Sequence, residues 1–181
     1  MVKLVSSGWS VLGLYFLVSL ACAQAQDFKA GPVFSEYGRH AEVDGISFSR
    51  QHVFKVAFDV SRGSENGELN RRYDTLARFI NMHVAHGVKL ENIKLALVVH
   101  GSATLDMLDN QYFRTRKTGN NDNIPLLKAL MDKGVKVVVC GQSAAAQNIT
   151  RDMLIDGIEM DLSAMTAHAR LSNQGYAVNP F

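Results

Sequence analysis

Residues 135–146 read Val-Lys-Val-Val-Val-Cys-Gly-Gln-Ser-Ala-Ala-Ala, and this stretch decides the fold. From Val135 to Cys140 every position but Lys136 is apolar, with no polar alternation, which is the pattern of a strand buried on both faces. Gly141 turns the chain, and Gln142-Ser143-Ala144-Ala145-Ala146 is a strong helix start. A doubly buried strand followed at once by a helix belongs to a parallel sheet covered on both sides.

Working outward, the same pattern repeats. Upstream, Ile93-Lys94-Leu95-Ala96-Leu97-Val98-Val99 is a second buried strand, closed by His100-Gly101. Further upstream, Val53-Phe54-Lys55-Val56-Ala57-Phe58-Asp59-Val60 is a β-rich run interrupted by Lys55. Between these two, Leu69, Tyr73, Leu76, Ala77, Ile80 and Val84 recur at intervals of three and four, predicting a helix from Glu68 to His86 that ends at Gly87. Phe79 and Met82 lie off that stripe, which predicts a second apolar face and a partner subunit to cover it. Asp109 to Asp122 is a polar excursion, and Asn123-Ile124-Pro125 opens a short helix that stops at Gly134. Downstream, Gly157 to Leu162 forms a short fourth strand, Ser163 to Gln174 a last helix and Tyr176-Ala177-Val178 a fifth strand. Strands alternating with helices give an α/β fold with a mainly parallel sheet of about five strands.

The N-terminus has a different grammar. Lys3, an apolar stretch from Val11 to Ala21 and small residues at Ala21-Cys22-Ala23 and Ala23-Gln24-Ala25 read as a signal peptide, with residues 1–25 removed. The stretch is short for a membrane anchor, which needs about 20 apolar residues, and Leu20 sits one position too close to Cys22 for a lipoprotein signal. Residues 26–51, with Gly31, Pro32, Gly38 and Gly45, form an N-terminal arm, and residues 52–181 form the α/β domain. The mature chain is therefore expected to be exported, periplasmic in a Gram-negative source, with no membrane association after processing.

Composition narrows the function. The formal charge of +2 falls to +1 with Lys3 gone, too little for a nucleic-acid footprint. G-x-G-x-x-G and G-x-x-x-x-G-K-[ST] are both missing, so a dinucleotide or nucleoside triphosphate site has no support. His83 and His86 lie three apart on the long helix and, with His100 or His168, are the one candidate metal set. Without carboxylates or a second cysteine they read better as surface or interface histidines, and no metal or other cofactor is expected.

What remains is Cys140. Loss of the leader removes Cys22 and leaves one cysteine, so an intramolecular disulfide is impossible and a reactive thiol or a packed apolar residue are the two readings. Ligands of open parallel α/β sheets bind beyond the carboxyl ends of strands, where both His100 and Cys140 stand. Consecutive strands are commonly neighbours, which brings the two side by side. A Cys140 thiolate also faces the start of the helix after Gly141, whose N–H groups favour negative charge, and Ser143 is placed to cap that helix or to donate a hydrogen bond. A cysteine protease needs a third group that orients His100, and nothing in the local sequence supplies one. C-x-x-C is absent, which disfavours thiol–disulfide exchange.

These residues also carry a resemblance. Phe54 to Val60, Leu97-Val98-Val99-His100-Gly101, Val137-Val138-Val139-Cys140-Gly141-Gln142-Ser143-Ala144, and the ending from Leu162-Ser163-Ala164-Met165-Thr166 to Gly175-Tyr176-Ala177 resemble the DsrE/DsrF-like family associated with intracellular sulfur oxidation, in particular its exported branch. The resemblance implies a three-layer α/β/α fold, a homo-oligomer such as a trimer or hexamer, and a cysteine that carries sulfur as a persulfide, at the position of Cys140. It also implies a thiol or sulfur-donor protein as partner. The expected site is Cys140 and His100, with Gly101, Gly141, Gln142 and Ser143 binding ligand or stabilising the thiolate. Two alternatives stay open: a small-ligand-binding or assembly module without turnover, and a thiol redox sensor.

Overall fold

The computed structural model describes residues 27–65 and 67–179; the expected leader, with Cys22, lies outside them. Phe54–Val60 (β1), Ile93–Val99 (β2), Lys136–Cys140 (β3), Glu159–Asp161 (β4) and Ala177–Asn179 (β5) form one sheet in the order β4-β3-β2-β1-β5, and every pairing is parallel. Helices Arg71–Ala85 (α1), Asn110–Phe113 (α2), Ile124–Asp132 (α3), Gly141–Ala146 (α4) and Ala164–Asn173 (α5) connect or follow the strands. The expected α/β fold is the observed one, a five-stranded parallel sheet with helices in three layers.

Side chains alternate across a strand, and this divides the sheet into two unlike faces. Phe58 and Val60 of β1, Leu97 and Val99 of β2 and Val137 and Val139 of β3 join the large core with Tyr73, Leu76 and Ile80 of α1 and Leu126, Leu127 and Leu130 of α3. The opposite face presents Ala57, Ala96, Val98 and Val138, which pack with Ala167 and Leu171 of α5 in a much smaller cluster. Asp59, His100 and Cys140 continue the alternation of that second face.

The start of the long helix differs from the sequence expectation for a local reason. The long helix begins at Arg71 rather than Glu68, because the Asn70 side chain accepts from the Arg72 N–H at 3.1 Å and caps it. Asn70 is in turn held by Asp106, a buried carboxylate that also accepts from the Ser64 N–H, the Ser64 hydroxyl and the Tyr73 hydroxyl. This network fixes the loop leaving β1. The helix after Cys140 is short, six residues.

Phe79, one of the two residues of the second apolar face of α1, is covered from within the chain. Phe79 packs edge-on against Phe54 and Phe58 and stacks on His83 at 4.0 Å between ring centroids. Phe48 of the arm closes the same cluster against Phe54 and His83. His83 is thus an interior packing residue, not a surface one, and burial lowers its pKa. The arm is bound to α1 by Asn81, whose Oδ1 accepts from the Val33 and Phe34 N–H groups while Nδ2 donates to the carbonyls of Phe34, Tyr37 and Gly38. Phe79 therefore gives no reason of its own for a partner subunit.

Candidate functional site

Cys140 ends β3 and begins α4. Its backbone is extended (φ −67°, ψ 113°), and its own Sγ, not Ser143, caps the helix by accepting from the Ser143 N–H at 3.4 Å. The Ser143 hydroxyl and the backbone of Gln142 and, from the start of α5, Ala164 lie close enough to the same sulfur to favour its thiolate. Two helix starts therefore converge on one sulfur. Burial works against the thiolate, yet these groups outweigh it and the thiol pKa is lowered. Cys140 is 6% exposed.

The expected neighbours of Cys140 are built into its frame. Ser143 Oγ accepts from the Gly101 N–H at 3.0 Å while its own N–H donates to Cys140 Sγ, so one residue joins the turn after β2 to the sulfur at the end of β3. Gln147 Nε2 donates to the Gly101 and Ser143 carbonyls and closes the same link. Gly101 has φ +56°, and a Cβ there would lie 2.7 Å from the Ser61 carbonyl oxygen, so the turn requires glycine. Gly141 is required for space: a Cβ would meet the Asp161 carbonyl oxygen at 2.7 Å. Gln142 reaches outward, its Nε2 donating to the Leu162 carbonyl at 3.4 Å.

His100 follows β2 and keeps the strand conformation (φ −148°, ψ −174°). Because Val99 pairs with Val139, His100 and Cys140 leave the sheet side by side on one face, one strand spacing of about 4.8 Å apart. The polar partner of His100 comes from the other neighbouring strand. Its Nε2–H donates to Asp59 Oδ2 at 3.1 Å, and His168 of α5 donates Nε2–H to Asp59 Oδ1 at 2.7 Å. Burial opposes ionisation of Asp59, but the hydrogen bonds and charge of the two histidines prevail and lower its pKa. Asp161, in register with Cys140 on β4, accepts from the Leu162 N–H at 2.7 Å and pairs with Arg170 at 3.4 Å.

Asp59 and His168 were not among the residues expected at the site. Asp59 had a readable signal, a carboxylate near the end of an otherwise buried strand, where an unpaired charge is costly. His168 had none, because its partner is 109 residues away in sequence. His83 and His86, the other half of the candidate metal set, point elsewhere: His83 Nδ1 bonds the Phe79 carbonyl, and His86 bonds the Met82 carbonyl and the Val43 N–H. Among the described residues no group of three or more His, Cys, Asp or Glu is arranged to hold a metal ion.

With this geometry in place, comparison with known proteins places the chain. The sequence model of the DsrE/DsrF-like family matches residues 55–180, from the first residues of β1 to the penultimate residue of the chain. The chain belongs to the DsrE/DsrF-like family. Membership points to a sulfur-related function and agrees with the three-layer fold. Among solved structures, the protein of unknown function MTH1491 from Methanobacterium thermoautotrophicum is similar in fold, with a TM-score of 0.54, 14% identity, and coverage of 71% of this chain and 99% of the other. The ychN protein from E. coli gives a TM-score of 0.50 at 22% identity and covers 71% and 100% of the two chains. No curated protein matches the chain. Among the described residues no helix is long and apolar enough to cross a membrane.

Proposed function

We propose that this DsrE/DsrF-like protein carries sulfane sulfur as a persulfide on Cys140, acting as a sulfurtransferase-like relay between thiols. The observation that supports this reading is the place of Cys140 at the start of α4, where its Sγ accepts from the Ser143 N–H at 3.4 Å and the Ser143 hydroxyl, Gln142 and Ala164 stand near enough to favour its thiolate. A cysteine that only packs needs no such neighbours. Here they outweigh desolvation and favour the thiolate, which is the nucleophile of sulfur transfer. The thiolate attacks the outer sulfur of a persulfide or polysulfide. The donor S–S bond breaks, a new S–S bond forms on Cys140, and the donor leaves as a thiolate with the bonding electron pair. No external oxidant or reductant is consumed. Attack by an acceptor thiolate on the outer sulfur reverses the sequence.

The supporting assignments follow the same reading. Gln142 and Ser143 stabilise the thiolate, Gly101 and Gly141 allow the close approaches around it, and His100 handles the proton. The chain is exported after cleavage near residue 25, lies in the periplasm of a Gram-negative source, and works as a homo-oligomer with a thiol or sulfur-donor protein as partner.

The deciding experiment is mass spectrometry of the mature protein after polysulfide treatment. A gain of one sulfur atom on the Cys140 peptide, lost in Cys140→Ser and reversed by dithiothreitol, is the expected result. A gain of oxygen instead assigns the site to redox sensing. A thiol that reacts with neither polysulfide nor iodoacetamide until the protein is denatured overturns both readings and leaves Cys140 a packing residue.

A further inference from the structure

The group that orients His100, absent from the local sequence, is present in three dimensions. A carboxylate only accepts, so the contacts of Asp59 require a proton on Nε2 of both His100 and His168. For His100 this fixes the tautomer: when the ring is neutral, Nδ1 carries the lone pair. His168 occupies the second oxygen of Asp59 and is the more enclosed of the two rings, with side-chain exposures of 19% against 32%. Its own Nδ1 is buried and has no hydrogen-bond partner. His168 in this place anchors the carboxylate, and with Nδ1 buried and unpartnered it has no proton-transfer route of its own.

We infer that Asp59 and His168 are positioning residues that hold His100 in its Nε2–H tautomer, so that His100 Nδ1 is the acceptor for the Cys140 thiol proton. The inference rests on the sulfur-carrier reading of Cys140 and adds the proton's path to it. In the step, the Sγ–H bond breaks and an Nδ1–H bond forms. The resulting imidazolium is paired with Asp59, and the proton is returned to the donor's thiolate as it leaves. His168 stays bound throughout. The charged groups on this face are these, with Glu159 of β4 exposed beside Val138, two residues before Asp161 and away from the site. Asp59 comes from β1, His100 follows β2, Cys140 ends β3, Asp161 of β4 is neutralised by Arg170 of α5, and His168 comes from α5. At the far end of the face Lys55 donates to the Gln174 carbonyl, away from the site, and Lys94 and Lys136 are exposed at the strand starts.

The test uses the full mature chain and two readouts. The first is the 15N chemical shifts of the His100 ring, which report the tautomer without reference to sulfur chemistry. The second is the rate of Cys140 alkylation by iodoacetamide from pH 5.5 to 9, values chosen to span roughly the histidine and thiol ranges. The expected results are an Nε2–H tautomer for wild-type His100, and for Asp59→Asn a mixed tautomer with alkylation at pH 7 slowed about tenfold or more, the low end of general-base effects. Asp59→Glu restores part of the rate. His168→Gln, which keeps Asp59, slows alkylation by about two- to tenfold, the range of one hydrogen bond, and it serves as the working variant if Asp59→Asn fails to fold. A wild-type Nδ1–H tautomer overturns the inference, as does an alkylation profile that Asp59→Asn and His168→Gln leave unchanged. If polysulfide loads Cys140 in wild type while either of those results holds, the sulfur-carrier reading survives without the positioning pair. If the tautomer is as expected and no persulfide forms, it is the carrier reading that falls.

Discussion

The two faces of the sheet use the same strands for opposite purposes. On the α1/α3 face, Phe58, Leu97 and Val139 are fully buried in a core that draws on most elements of the chain. On the α5 face the strands offer Ala57 and Ala96, and a single helix packs on them. Small side chains let α5 lie close, which brings Ala164 near Cys140 and His168 to Asp59. Close approach of one helix, more than bulk of packing, is what assembles the candidate site. The bulk of the core is concentrated on one face and the candidate site on the other.

That division can be broken by mutation. Phe58→Ala on the α1/α3 face is expected to cost about 3–5 kcal/mol, read as a lower denaturant midpoint. Asn81→Ala belongs to the same face, since it removes the ties that hold the arm on α1. It is expected to cost about 2–3 kcal/mol through the buried groups left unpaired and to make residues 27–50 sensitive to limited proteolysis. On the α5 face, Val98→Ala is expected to cost about 1–2 kcal/mol. Equal losses for Phe58→Ala and Val98→Ala would erase the contrast between the faces.

Cys140→Ser sharpens the comparison from the other side. At neutral pH it is expected to change stability by less than about 1 kcal/mol while abolishing alkylation and sulfur loading. The folded thiol ionises at lower pH than the unfolded one, so the folded state binds fewer protons in between. Wild-type stability relative to Cys140→Ser is then expected to rise with pH up to the unfolded thiol's value, about 8.5, and to be lost as pH falls through the folded value. Asp59 gives the acid counterpart. Its carboxylate is held below the ordinary range, so the stability it confers is present above about pH 4 and disappears as pH falls through the lowered folded value. Urea titrations of wild type and Asp59→Asn from about pH 6 down to about pH 2, a span that reaches below the ordinary carboxylate range, are expected to show the wild-type margin in full at the upper end and shrinking toward the acid end.

Much of this was legible in the sequence because the signals were local. Unbroken apolar runs announce β1, β2 and β3, and strand order plus alternation is enough to place His100 beside Cys140. The short helix after Gly141 is likewise marked where it starts. What the sequence hid depends on distance. Phe79 looks like a second apolar face on α1 because its cover, Phe48 with Phe54 and Phe58, comes from other elements. Ala164 comes near Cys140, and His168 reaches Asp59, only because α5 packs on the alanines of β1 and β2. Periodicity describes which side of an element faces inward, not which residue it meets there.

The strand order has a consequence for how the protein is made. β1 is paired on one side by β2 and on the other by β5, the last strand of the chain. Synthesis delivers residues from the N-terminus at about 5–20 per second, so β1 to β3 emerge with Cys140 already present while α5 is still unmade. At that stage the sulfur lacks Ala164 and Asp59 lacks His168. A nascent or C-terminally truncated chain that stops before residue 164 contains the cysteine without the part of the candidate site that α5 contributes.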